Sequence, residues 1–283
     1  MRNNTIATVV IPAYERVSLT QAAIDSVLRQ SDSELSEIIV VDDFSKAPLE
    51  PRLSNLRSQD KVLRNTERRG AAVSRNRGID CAEGDIVYLL DSDDEFIDRQ
   101  FAHDHLELTA LPGILYSSIV SGRYSSSYPD SLQTEGYLSA VFGRNRFIGQ
   151  TSSLCFSASI GLRFDELLPK HQDWDFVFSA LKSGVSVRLG KGTVRFDRSD
   201  RTSLSRSSPI DRSHPWIDKL RRIHQSDGPL EIDPELVATF LCHGAPYRRN
   251  PINAQVGKVV LSSKFTAPEK LKFLMRLAIR AFR

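Results

Sequence analysis

Val87-Tyr88-Leu89-Leu90-Asp91-Ser92-Asp93-Asp94-Glu95 runs from an apolar stretch straight into a cluster of carboxylates. The apolar part has the length and composition of a buried strand, and its abrupt end delivers Asp91, Asp93 and Asp94 to one sheet edge. Like charges crowded there need an offset, and hard oxygen ligands suit a divalent cation such as Mg2+ or Mn2+. On extended backbone, positions 91 and 93 face the same side, so the two carboxylates could share one ion or its water shell. Acidic residues also gather on solvated loops and at helix N-termini, where the dipole favours them. The cluster alone leaves both readings open.

Upstream, strand and helix signals alternate. Thr8–Ile11 is a short apolar run stopped by Pro12. Leu19–Gln30 carries apolar residues at helical spacing, with Ser18 as a candidate N-cap. Ile38–Val41 is a β-branched run ending in Asp42-Asp43, Lys61–Arg64 suits a short third strand, and Gly70–Ala82 suits a helix. This alternation predicts βαβ units and a mostly parallel, doubly wound α/β sheet flanked by helices. Ligands of such sheets sit beyond the carboxyl ends of the strands. Three polar groups fall there: Pro12-Ala13-Tyr14-Glu15, Asp42-Asp43 and Asp91-Ser92-Asp93-Asp94. One topology therefore gathers them at a common edge.

Downstream, strands are expected at Ile114–Val120, Ser152–Phe156, Ser186–Leu189 and Thr193–Phe196. Helices are expected at Gly136–Phe142 and Trp174–Lys182, and loops at Ser121–Ser131 and Asp197–Ser213. Beyond Pro215 the signals are mainly helical. The expected organisation is a catalytic domain over 1–210 and a helical C-terminal extension over 211–283. A chain of 283 residues with 40% hydrophobic and 26% charged content is ordinary for a globular protein and long enough for a substantial core. No apolar run reaches membrane-spanning length, and Met1–Thr5 leads into the first strand without an apolar leader, so a cytoplasmic location is expected. Cys81, Cys155 and Cys242 are too scattered for a disulfide framework or a zinc site. Residues 267–283 carry five basic side chains against Glu269, a balance of +4, so the remainder of the +3 chain is −1. A basic tail on a neutral body argues against nucleic-acid binding. The tail combines Leu271, Leu274, Leu277 and Phe273 with those basic positions. That pattern fits an interfacial helix at an anionic membrane surface and equally a helix packed on the body.

Ile11-Pro12-Ala13-Tyr14, Val40-Val41-Asp42-Asp43-Phe44-Ser45, Gly70 through Arg75-Asn76-Arg77-Gly78, Leu89-Leu90-Asp91-Ser92-Asp93-Asp94 and Gln172-Asp173-Trp174-Asp175 occur in that order. As a set over about residues 5–205 they resemble a family 2 glycosyltransferase with the GT-A, Rossmann-like fold. The resemblance implies inverting transfer of a sugar from a nucleotide-sugar, with UDP the expected nucleotide, to an acceptor hydroxyl of a saccharide or lipid-linked saccharide. It implies that Asp43 accepts a hydrogen bond from the base, that Pro12, Ala13, Tyr14 and Glu15 wall the base and ribose, and that Arg75 faces the nucleotide. Asp93 is the implied metal ligand. Asp91 reaches ribose or ligates through water, Ser92 lies beside the nucleotide-sugar, and Asp94 supports or replaces Asp93. Asp173 matches the catalytic base, although Gln172 stands where an acidic residue is usual. A histidine that ligates the metal in some relatives is absent from Arg195–Ser208, where Arg198, Arg201 and Ser203 could close on the diphosphate instead.

The residue types suit that chemistry independently. An aspartate accepts from an imide N–H, small residues with arginines at a helix N-terminus favour a phosphate, and desolvation beside Trp174 would raise a carboxylate toward useful basicity. Arg68, Arg69 and Arg77 read as a solvated face. A phosphoacceptor receiver domain would share the Asp-Asp strand and a later Asp, but here a whole βα unit precedes that strand. A nucleotidyltransferase would carry a Gly-rich basic loop where Ala13-Tyr14-Glu15-Arg16 stands. A non-catalytic sugar-nucleotide module would not need Asp173.

Overall fold

The computed structural model describes residues 5–122, 124–125, 130–133, 137, 150–196, 210–227 and 230. In chain order the strands are β1 (Ala7–Ala13), β2 (Ser36–Asp42), β3 (Lys61–Arg64), β4 (Ile86–Leu89), β5 (Asp94–Asp98), β6 (Gly113–Ser121), β7 (Tyr124–Ser125), β8 (Ser131–Leu132), β9 (Leu154–Ser157) and β10 (Ser186–Phe196). The helices longer than one turn are α1 (Val17–Leu28), α2 (Ala71–Asp80), α3 (Phe101–Ala110), α4 (Gln172–Lys182) and α5 (His214–Ser226). The chain divides into two compact units, one of Met1–Thr134, Phe147–Glu166 and Gln172–Arg201, the other of Glu135–Arg146, Leu167–His171 and Thr202–Arg283.

The first unit is built on one mixed sheet in the order β3-β2-β1-β4-β9-β6-β10-β5, with β7 on β6 and β8 on β10. The β3-β2-β1-β4 half is parallel throughout. Its β1, β2 and β4 residues are almost all buried, which is what a parallel sheet covered on both faces requires of Val and Ile runs. Pro12 falls inside β1. Strand β4 pairs only Ala7 through Val10, so the missing N–H of Pro12 lies past the end of that ladder.

Helix α1 presents Ala23, Ile24 and Val27 to the core shared with Val9, Ile11, Ile38, Val40 and Phe96. It begins at Val17, and exposed Ser18 makes no capping bond; the N-cap position belongs to Arg16. Gly70 precedes α2 with φ 90, a conformation that suits a residue without Cβ. The expected pair of strands at 186–189 and 193–196 is one strand, β10, whose register against β6 shifts between Leu189 and Thr193. Gly190-Lys191-Gly192 is thus an irregularity within a strand rather than a turn between two. Strand β5 was hidden in the sequence by its charges. It pairs antiparallel with β10, burying Asp94 and Phe96 while Ile97 and Asp98 face solvent. The expected helix at Gly136–Phe142, most of the loop from Asp197 and the tail 267–283 lie outside the described residues.

In the second unit, α5 buries Trp216, Ile217 and Leu220. His171 is buried; its Nε2 lies 2.9 Å from Ser213 Oγ and its ring centroid 5.1 Å from that of Trp216. Burial, helped by Lys170, lowers its pKa to about 3, so the imidazole is neutral at physiological pH.

Buried Asp42, the last residue of β2, shows how the strand ends are held. Its Oδ1 accepts from Ser45 N at 2.8 Å, and its Oδ2 accepts from Leu49 N at 3.2 Å and Arg64 Nη1 at 2.5 Å. Burial alone would raise the carboxyl, but these bonds outweigh it and the pKa is lowered. Asp42→Ala strands a guanidinium and two amides, and is expected to cost about 2–4 kcal/mol in urea denaturation.

Candidate active site

The parallel strands β1 and β2 end together, β4 stops beside Val10, and the loops that leave β1 and β2 are stitched to one another. Asp43 N donates to Ala13 O at 2.8 Å, Glu15 N to Ser45 Oγ at 2.9 Å and Lys46 N to Glu15 Oε1 at 2.6 Å. Glu15 and Phe44 hold φ of 60 and 64, the left-handed region that non-glycine residues rarely adopt. Such outliers concentrate where surrounding structure imposes a functional conformation. Pro12 and Ala13 close β1, Ala13 buried; the Tyr14 ring lies under the Arg68 guanidinium at 4.1 Å, and Glu15 is exposed. Arg64 similarly stands 5.1 Å from the ring of half-exposed Phe44.

Asp43 is buried and anchors the segment leading to α2. Its Oδ1 accepts from Asn65 Nδ2 and Arg69 N, both at 2.9 Å, and its Oδ2 from Gly70 N at 2.8 Å. Three donors occupy three of about four acceptor positions on a carboxylate, leaving room for one ligand donor. Arg77, read as solvated, is instead a staple: its Nη1 donates to Arg64 O at 2.6 Å and Asn65 Oδ1 at 2.8 Å.

The acidic segment after β4 is not extended. Asp94 N donates to Asp91 O at 3.0 Å, closing a β-turn with Ser92 and Asp93 at its centre. Within it Asp91 and Asp93 are partly exposed while Ser92 and Asp94 are buried. Asp94 opens β5, and its Oδ2 accepts from Ser152 Oγ at 2.5 Å. The same Ser152 Oγ accepts from Asp91 N at 3.0 Å, so one hydroxyl pins both ends of the turn. Its partners lie 61 and 58 residues away in the chain, and no local sequence signal marks it.

Two guanidinium groups meet the two outward carboxylates. Arg16 Nη1 donates to Asp93 Oδ2 at 2.8 Å, and Arg75 Nη2 donates to Asp91 Oδ1 at 2.5 Å. Burial and then the neighbouring Asp91 raise the Asp93 pKa, against the pull of Arg16. Two carboxylates on one turn, each partly exposed, offer the oxygen-only donors that a hard divalent cation takes. Among the described residues, His103, Asp104 and Glu107 of α3 also bring ligand atoms within 4.8 Å of one another. Asp104, however, is taken by Tyr88 Oη at 2.7 Å and lies 3.7 Å from Arg99 Nη1.

Arg75 joins this turn to α4. Its Nη1 donates to Gln172 Oε1 at 3.1 Å, its guanidinium carbon lies 5.2 Å from the Phe164 ring centroid, and its buried Nε finds no partner among the described residues. An unpartnered buried donor beside the acidic turn fits an anionic or oxygen-rich ligand. Asn76 braces the same region, donating to Phe164 O and Glu166 Oε1, both at 2.9 Å, and accepting from Phe164 N at 2.8 Å. Phe164 in turn stacks on Phe176 of α4 at 4.5 Å.

Asp173 lies in the first turn of α4 beside Gln172, and its Oδ1 accepts from Trp174 N at 3.0 Å. Protein surrounds the carboxylate densely. That desolvation, with a contribution from Asp91, outweighs the Trp174 bond and Arg75 and raises its pKa to about 6. The group is thus ionised at neutral pH and a better proton acceptor than an ordinary aspartate. Every expected site residue reaches this sheet edge or borders it, Asp94 from the buried side of the turn.

The family described as Glycosyl transferase family 2 matches residues 8–165. Amylovoran biosynthesis glycosyltransferase AmsB of Erwinia amylovora is 32% identical over 236 residues, 75% of this chain and 77% of that protein. A Campylobacter jejuni GalNAc(5)-diNAcBac-PP-undecaprenol beta-1,3-glucosyltransferase is 34% identical over 93 residues, 31% of this chain and 30% of its own. The crystal structure of S. aureus TarS 1-349 in complex with UDP-GlcNAc superposes with a TM-score of 0.54 at 14% identity, covering 98% of this chain and 73% of that one. Fold and strand-end geometry define a nucleotide-sugar-type GT-A domain. The chain belongs to glycosyl transferase family 2.

Raising a carboxylate pKa costs folding stability. Asp173 binds its proton more tightly folded than unfolded, so stability falls as pH rises from about 4 to about 6, and the full cost is present above that. Asp173→Asn is expected to stabilise the protein by about 1–3 kcal/mol at pH 8, with the gain gone at pH 4, as read by urea denaturation at the two pH values.

Proposed function

We propose that this glycosyltransferase uses a UDP-sugar, a hexosyl donor, and transfers the sugar with inversion to a hydroxyl of a saccharide or lipid-linked saccharide during cell-surface polysaccharide or glycolipid assembly. The observation that carries this reading is the Asp91–Arg75–Gln172 bridge. It ties an acidic turn suited to a diphosphate-bound cation to a helix that opens with a carboxylate of pKa about 6. Support for the donor comes from TarS, whose structure in complex with UDP-GlcNAc shares the fold. Support for the acceptor class comes from relatives named for amylovoran biosynthesis and for an undecaprenol-linked substrate.

In this reading Tyr14, with Pro12, Ala13 and Glu15, walls the base, and the remaining acceptor position of Asp43 takes its imide N–H. Ser92 shapes the turn beneath the ribose and diphosphate, and Arg75 directs its unpartnered Nε toward the nucleotide. Asp93 and Asp91 would hold Mn2+ or Mg2+, which when bound supplies Lewis-acid neutralisation of the departing diphosphate. Asp173 receives the acceptor hydroxyl proton as the acceptor oxygen bonds to the anomeric carbon. The bond from that carbon to the β-phosphate oxygen breaks on the opposite face, releasing UDP. Gln172 keeps Arg75 and the start of α4 in register without adding a second negative charge beside the base.

Residues 1–210 form the catalytic domain and 211–283 a helical extension, whose basic amphipathic end contacts the cytoplasmic face of a membrane. Among the described residues, no helix is long and apolar enough to cross one.

Transfer and UDP binding measured on three proteins test the site. Asp173→Asn is expected to lower transfer at least about 100-fold while UDP affinity stays within about twofold. Asp93→Ala is expected to remove the Mn2+-dependent part of UDP binding. In the wild type kcat/KM should rise with pH through an apparent pKa near 6, as the base loses its proton. Full transfer by Asp173→Asn would eliminate the base assignment.

A further inference from the structure

The acid pair has a pair of counter-charges already built in. Asp93 is held by Arg16, which comes from the loop between β1 and α1, and Asp91 by Arg75, which comes from α2. The four side chains sum to zero: two carboxylates against two guanidiniums. A divalent ion arriving alone would meet two carboxylates already engaged by guanidinium groups, and would have to displace a donor 2.8 Å from Asp93 Oδ2. The two arginines are not equivalent. Arg75 is almost fully buried and is also tied to Gln172 and Phe164, so it is fixed in place. Arg16 is about a third exposed and sits at the N-cap of α1.

We propose that Arg16 is a resident counter-cation of the acidic turn that makes metal binding conditional on the diphosphate. With no nucleotide present, Arg16 holds Asp93 and opposes entry of the divalent ion. The diphosphate brings the negative charge that the combined set of metal and arginines lacks. Arg16 then transfers its hydrogen bond from Asp93 to a phosphate oxygen, and the ion takes the carboxylate. Metal and nucleotide thus enter as one unit, and each tightens the other by the same factor, as linkage requires. Arg16 is a positioning residue in this account, acting through Asp93 and the leaving group. The inference rests on the metal assignment of Asp91 and Asp93 proposed above, and the experiment separates the two.

The test is Mn2+ binding to the full chain, followed by the electron paramagnetic resonance of free Mn2+, without nucleotide. Isothermal titration of UDP with and without Mn2+ accompanies it. The proteins are wild type, Arg16→Met, Arg16→Lys and Asp93→Ala. Circular dichroism melting of each confirms that it is folded. For the wild type, Mn2+ alone should bind weakly and UDP affinity should rise at least tenfold when Mn2+ is added. Arg16→Met should bind nucleotide-free Mn2+ at least fivefold more tightly, with the Mn2+ enhancement of UDP binding reduced by a similar factor. Arg16→Lys should keep wild-type behaviour, because charge rather than shape is the essential property. Unchanged or weaker nucleotide-free Mn2+ binding in Arg16→Met, with Asp93→Ala abolishing Mn2+ binding, would overturn the role of Arg16 alone. Full Mn2+ enhancement retained by Asp93→Ala would instead overturn the metal assignment on which it rests.

Discussion

Two carboxylates, Asp91 and Asp93, are held partly exposed on a four-residue turn, and their repulsion must be balanced from outside that turn. Neither the strand before it nor the strand after it supplies a cation. The balance comes from Arg16, beyond the end of β1, and Arg75, on α2, brought to the turn because β1 and β4 are parallel neighbours running toward the same sheet edge. The sheet order is therefore part of the electrostatics. A one-residue slip of β4 against β1 would carry the acidic turn to the other face of the pleat and part it from both arginines.

The same logic recurs around the site. Asp42 closes the β2 loop on Arg64, Asp43 draws Asn65 and the start of α2 beneath the strand ends, and Ser152 fastens the acidic turn from β9's side of the sheet. Buried polar groups at these positions are nearly all hydrogen-bonded, as interiors demand. The cost of concentrating charge here appears in the strained φ of Glu15 and Phe44 and in the raised pKa of Asp93 and Asp173. The strand ends of this family 2 glycosyltransferase hold their charged groups with long-range pairs rather than with one rigid motif.

Much of this was legible in the sequence because it depends on local periodicity. The apolar runs of β1, β2 and β4, the helical spacing of α1 and the start of α4 each follow from side-chain pattern within a few residues. The ordered strand-end motifs were enough to point to the family. Strand β5 escaped because three of its five residues are charged, and its pairing with β10 creates a strand that its composition does not announce. The break expected inside β10 follows from Gly190 and Gly192, which a bulge explains as well as a turn does. Arg77 looked like one of a run of solvated charges until the backbone brought Arg64 O and Asn65 to it.

The sequence by itself determined the α/β class, the parallel half of the sheet, the edge at which chemistry could occur and the residue types available there, since these depend on neighbours along the chain. Only the tertiary structure decided how charge is shared among them. Arg16 meets Asp93 across 77 residues, Asp91 meets Ser152 across 61, and Arg75 meets Gln172 across 97. It also separated Asp94, turned inward onto a serine, from Asp91 and Asp93, turned outward onto arginines. Identical side chains one or two positions apart acquire different environments because a turn exposes alternate residues to opposite surroundings, and composition carries no record of which surroundings those will be.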